Sequence, residues 1–79
     1  MKLPRNISGR ALVRVLTRSW GYTEVHQSGS HVIIETDAPC HQRIALPAHR
    51  SLRVGTLNAI LKAVAAHKGV DREAILNSF

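Results

Sequence analysis

Seven residues, HVIIETD from His31 to Asp37, follow directly on a Ser-Gly-Ser turn, and this junction constrains the fold more than any other stretch. In an extended chain alternate side chains point to opposite faces, so Val32, Ile34 and Thr36 share one face while His31, Ile33, Glu35 and Asp37 share the other. The first set is wholly apolar or β-branched and needs cover. The preceding YTEVHQ, Tyr22 to Gln27, carries aromatic and β-branched residues, so the turn joins two antiparallel strands into a hairpin. After the breaker APCH, QRIAL forms a third short strand closed by Pro47. A three-stranded antiparallel sheet with one apolar face follows, and something must pack on that face.

Two amphipathic segments supply the cover. Ser8 is an N-cap candidate, and Leu12, Val13, Leu16 and Trp20 fall on one helical stripe, which predicts a helix from Gly9 to Ser19 ended by Gly21. Beyond the basic loop PAHRSLRV, Gly55 and Thr56 introduce LNAILKAVAAHK, where Leu57, Ile60, Leu61 and Val64 share a face, and Gly69 ends this second helix. Asp71 is an N-cap candidate for a last short helix, REAILNS. The expected fold is α+β: helix, three strands and helix, with both helices on one face of the sheet, plus a short C-terminal helix. With 79 residues and no repeat or linker, the chain reads as one domain over residues 1–79 with a simple core.

Eleven Lys and Arg against five Asp and Glu give a formal charge of +6. Such an imbalance points to polyanionic partners, nucleic acid first, with an acidic protein or an anionic membrane surface as alternatives. Arg10, Arg14 and Arg18 recur at i, i+4 and i+8 and so line one helix face, which serves either as a phosphate-contacting surface or simply as a solvated face. No apolar run reaches the roughly 18 residues of a membrane span, and MKLPRNISGR lacks an apolar signal core. The expectation is a soluble, cytoplasmic protein with no membrane partner. The single Cys40 has no internal disulfide partner, in keeping with a reducing compartment.

His31 stands at the turn end of its strand, on the more polar face, where valine or threonine would suit a sheet better. An imidazole with an ordinary pKa of about 6.5 suits that place if protons must move near neutral pH, whereas the bland alternative is a histidine packed on the hairpin surface. Five histidines and one cysteine invite a metal, but Cys40 and His41 are adjacent while His26, His31, His49 and His67 are scattered, unlike the paired ligands of a structural zinc site. The five acids form no cluster suited to two-metal phosphodiester chemistry. No metal and no small-molecule cofactor is expected. Arg50 and Arg53, with the free N–H groups around Gly55 and Thr56 at a helix start, compose a candidate phosphate cradle; a plain helix entry is the alternative.

The stretches KLPRNISGRALVRVL, WGYTEVHQSGSHVII and IALPAHRSLRVGTLNAIL, in this order, carry Gly21, Gly29-Ser30-His31, Pro47-x-His49 and Gly55-Thr56-Leu57. In these motifs and their spacing the chain resembles the HicA family of small mRNA interferase toxins over nearly its whole length. The resemblance implies a fold similar to the double-stranded RNA-binding domain, an endoribonuclease that cuts mRNA, and a HicB-like antitoxin that holds it inactive. It makes His31 the catalytic residue. Ser30 beside it, the helix-face residues Arg10 and Arg14, and the cradle of Arg50, Arg53, Gly55 and Thr56 are the candidate RNA-contacting positions. His49, the other family-matched histidine, becomes a candidate second proton-transfer group, with RNA contact or loop capping as its alternatives. Val32 stands where many relatives carry a second histidine, and His26 where they often carry arginine. Two other classes of function stay open on sequence: a non-catalytic RNA-binding module of the same fold, and a basic protein-interaction subunit.

Overall fold

The computed structural model describes residues 6–79, so Lys2–Arg5, which open the first resembling stretch, lie outside the described residues. Its elements are α1 (Gly9–Ser19), β1 (Thr23–Ser28), β2 (His31–Thr36), β3 (Gln42–Pro47), α2 (Val54–Lys68) and α3 (Arg72–Leu76). The sheet has the order β1-β2-β3 with both pairings antiparallel. This is the α+β arrangement that the alternation in HVIIETD requires.

Along β2 the burial alternates with the pleat. Val32 and Ile34 are completely buried and Thr36 nearly so, whereas His31 is exposed and Ile33 and Glu35 are half-buried. The register sets Val32 against Leu46 and Ile34 against Ile44, so β3 contributes its own inward residues to the same face. Leu12 and Leu16 of α1 and Leu57, Leu61 and Val64 of α2 complete one apolar cluster with them. Burying a single side chain such as Ile34 contributes about 1.5–3 kcal/mol, so this shared face holds both helices on one side of the sheet and leaves His31 on the other.

The helix ends follow from local chemistry. The Ser8 hydroxyl accepts from the Ala11 amide at 3.0 Å, satisfying one of the orphan donors of α1. Gly21, at φ +75°, turns the chain out of α1, and Gly69, at φ +69°, does the same after α2. Trp20 caps α1 half-buried, its indole N–H donating to the Ser78 hydroxyl at 3.0 Å. Asp71 occupies the N-cap of α3, but its carboxylate makes no cap bond; its backbone carbonyl accepts from the Ala74 amide at 3.0 Å while the charge stays in water.

β1 departs most from the simple hairpin. It begins one residue later than the aromatic start of YTEVHQ, because Tyr22 turns into the core. Between the pairs Glu24–Ile34 and His26–Ile33 one residue is extra, and this bulge leaves Val25 unpaired and 47% exposed. A bulge on an edge strand interrupts the flat ladder that another chain would extend. At the far end of the sheet, the Lys68 ammonium donates to the Thr36 hydroxyl at 3.0 Å and the Ala38 carbonyl at 2.6 Å, tying the β2–β3 loop to the end of α2.

Candidate active site

His31 is the first residue of β2, and two neighbours hold it there. Ser28 pairs with it across a two-residue loop, Gly29-Ser30, in which only Gly29 is left-handed, at φ +58°. A positive φ at the first loop position alone matches a type II′ turn, which suits the twist of a hairpin. On the other flank His31 pairs with Pro47, the last residue of β3. Pro47 has no amide to offer the ladder, a lack that an edge strand tolerates. The imidazole is exposed on the face of the sheet away from the helices.

Because β3 ends opposite His31, the chain that follows it starts beside the histidine. The Ala48 amide donates to the Ser30 carbonyl at 2.5 Å, and the His49 carbonyl accepts from the Gly9 amide at 2.9 Å. Residues 48 and 49 are thus fastened to the hairpin turn on one side and to the start of α1 on the other. The His49 side chain is exposed at the same end of the sheet as His31. Further on, Leu52 is buried and its amide donates to the Ile7 carbonyl at 2.8 Å, which pins the loop and leaves Arg50 and Arg53 outside.

Arg53 is the N-cap of α2, and no side chain caps this helix and no acid stands in its first turn. The first intrahelical bond runs from the Leu57 amide to the Arg53 carbonyl at 2.9 Å, so the amides of Val54, Gly55 and Thr56 have no partner inside the helix. Gly55 is exposed, and a Cβ on it would meet nothing within 4 Å from the rest of the fold, so no other element crowds this residue of the helix start. The helix dipole adds partial positive charge to that of the two arginines. Together these groups can hold an anion.

The arginine stripe of α1 divides. Arg10 leans over β1, donating to the Glu24 carboxylate at 2.8 Å and to the Gln27 side-chain carbonyl at 2.6 Å, whereas the side chains of Arg14 and Arg18, exposed like that of Arg10, make no such bond among the described residues. The helical spacing could not foretell this, since Glu24 and Gln27 reach Arg10 only once β1 lies under α1. The close approach of Gly9 to Pro47 and Ala48 at the end of β3 is a second contact that helical spacing does not show. A glycine directly after an N-cap is a poor helix former and signals a close approach of backbones. Among the described residues no group of three or more His, Cys, Asp or Glu side chains could hold a metal ion. A shallow depression bordered by Thr23, Val25, Glu35 and Thr36 lies at the opposite end of β2 from His31, and Glu35 there is paired with Arg43 at 3.6 Å.

Comparison with family models matches residues 9–65 to the HicA toxin of bacterial toxin-antitoxin systems. The chain belongs to the HicA toxin family. The match starts at the first residue of α1 and ends within α2, so it takes in the whole sheet, His31, His49 and the basic loop, and omits α3. No curated protein and no solved structure matches the chain. No helix among the described residues is long and apolar enough to cross a membrane. A HicA-family toxin thus presents an exposed histidine at the mouth of a hairpin, beside a cationic loop and an uncapped helix start.

Proposed function

We propose that this toxin is an endoribonuclease that cleaves mRNA in the cytoplasm, with His31 as its catalytic residue and a HicB-like antitoxin as its inhibitor, all within a single domain. The observation that carries this reading is the exposed imidazole of His31 at the start of β2, inside the segment matched to a toxin family and next to the Arg50–Arg53 loop.

RNA brings its own nucleophile. Attack of a 2′-hydroxyl on the adjacent phosphorus needs one group to take its proton, another to protonate the leaving 5′-oxygen, and positive charge around the phosphate as it becomes five-coordinate. His31 makes one of these proton transfers, and His49 is the candidate for the other. Ser30, Arg50, Arg53 and the amides of Gly55 and Thr56 contact the phosphates, with Arg14 and, through its outer edge, Arg10 extending the cationic surface along α1. The products of such a reaction carry a 2′,3′-cyclic phosphate and a 5′-hydroxyl.

Purified wild-type protein and His31→Ala are incubated with labelled single-stranded mRNA in excess EDTA, and fragments and binding are followed in parallel. Cleavage by wild type alone, with both proteins binding, supports a metal-independent nuclease centred on His31. Binding without cleavage by either replaces it with the non-catalytic RNA-binding module. In cells, expression of the wild-type chain arrests growth and co-expression of its antitoxin relieves the arrest; unaffected growth with abundant folded protein counts against the toxin activity.

A further inference from the structure

Gly9 is buried at the first turn of α1, where that helix meets the end of β3. A Cβ built on it would stand 2.0 Å from the Pro47 carbonyl oxygen and 2.9 Å from the Ala48 Cα. Both are backbone atoms, so no side-chain rotation relieves the clash. The contact is also polar, since the Gly9 amide donates to the His49 carbonyl at 2.9 Å. Pro47 pairs with His31, and Ala48 donates to the carbonyl of Ser30, one residue before His31. A short backbone path therefore leads from the start of α1 to the β3 side of the histidine and to the residue before it.

We propose that Gly9 is a positioning residue for the His31 centre: the missing side chain lets α1 seat against Pro47–His49, and that seat fixes the place of His31 relative to the loop that carries His49 and Arg50. The proposal rests on the reading of His31 as the catalytic group. A methyl group at position 9 pushes Pro47 and Ala48 outward, weakens the Ala48–Ser30 bond and separates His31 from the loop while the phosphate-contacting side chains stay exposed. The loss then falls on turnover more than on RNA binding, because a displacement near 1 Å costs about 100-fold in rate at a reacting centre.

The test compares wild type, Gly9→Ala and Ile75→Ala, the last removing a fully buried side chain of α3, a helix that packs on α2, at a temperature where all three are folded. RNA cleavage gives kcat and KM, and NMR gives hydrogen exchange at the Ala48 amide and the ring signals of His31. The expected result for Gly9→Ala is a fall in kcat of about 100-fold with KM within about twofold, faster exchange at Ala48 and shifted His31 signals, while Ile75→Ala keeps its kcat within about twofold. A folded Gly9→Ala with kcat within about twofold of wild type, or with an unaltered Ala48 amide, overturns the proposal. Should Gly9→Ala not fold, Ser8→Ala, which loosens the same helix start without adding a Cβ, decides: a kcat below that of Ile75→Ala sustains the proposal and an equal one overturns it. Should wild type cleave no RNA, the nuclease reading falls by itself, and the Ala48 and His31 signals alone judge whether Gly9 sets the geometry.

Discussion

His31 and Pro47 face each other at the closing pair of the β2–β3 ladder, so the candidate proton-transfer group and the residue that ends its neighbouring strand define one edge of the site. The pair carries the histidine on the outer face while Val32 and Leu46, one step along, are fully buried on the inner one. His31→Ala removes a side chain that supports no core contact, so stability stays within about 0.5 kcal/mol of wild type. Growth arrest and RNA cleavage are expected to be lost all the same. Urea unfolding beside a cleavage assay checks both halves; a variant that unfolds much more easily would make the loss of activity uninformative about chemistry.

Arg50 and Arg53 lie outside the anchored loop, whereas Arg10 is held by Glu24 and Gln27. Replacing either loop arginine by alanine is expected to weaken RNA binding and to lower the slope of log affinity against log salt by about 0.7–1. Arg10→Ala is expected to change that slope less and to cost stability no more than about 1 kcal/mol, because its ion pair with Glu24 is solvent-exposed. Filter binding at several salt concentrations separates the two behaviours. An Arg10 slope change equal to that of Arg53 would place the α1 face on the RNA path as firmly as the loop.

Tyr22 is buried, its hydroxyl donating to the Gln42 side chain and its ring lying 4.9 Å from the Lys68 ammonium. Desolvation by burial pushes its pKa up to about 12 from an ordinary 10.0. The folded state thus favours the neutral phenol. The unfolded chain gives up this proton first, so the tyrosine's contribution to stability is complete below pH about 10 and is lost as the pH rises from there to about 12. Tyr22→Phe is expected to be less stable at neutral pH by about 1 kcal/mol, for the lost hydrogen bond, and to show a flatter decline through that alkaline window. Unfolding free energies of both proteins between pH 9 and 12 provide the check; parallel curves would mean that the phenol does not set the slope.

What could be read in the sequence was whatever depends on local chemistry or on period. The alternation in HVIIETD fixed which side chains of β2 are buried, and Gly21 and Gly69 marked helix ends that only a left-handed residue makes cheaply. The placing of His31 on the outer face came from the same alternation. The bulge at Val25 left no trace in YTEVHQ, because it is a property of the register between two strands and not of either alone. The capture of Arg10 by Glu24 and Gln27 and the contact of Gly9 with Pro47 join residues far apart in the chain, and only the packing of α1 on the sheet creates them. The candidate site is accordingly legible as a set of residues and illegible as a geometry: the motif names His31 and His49, and the Ala48–Ser30 and Gly9–His49 bonds are what fasten the loop that carries His49 to the hairpin turn before His31 and to the start of α1.

Gly55 offers a prediction in which stability and binding move in opposite directions. Its φ is not left-handed and a Cβ there would meet no protein atom within 4 Å, so nothing in the fold requires glycine. Alanine at this position narrows the unfolded ensemble without straining the native one, and Gly55→Ala is expected to gain about 0.4–1 kcal/mol of stability. The same methyl group stands over the amides of Val54, Gly55 and Thr56, where the proposed phosphate contact needs close approach of the backbone. RNA binding is therefore expected to weaken, by about threefold to tenfold, the worth of roughly one ordinary hydrogen bond. Thermal unfolding and a binding titration on the one variant decide the matter. Higher stability with weaker binding keeps the start of α2 in the RNA site; higher stability with unchanged binding makes Gly55 a plain helix entry and leaves the phosphate to Arg50 and Arg53.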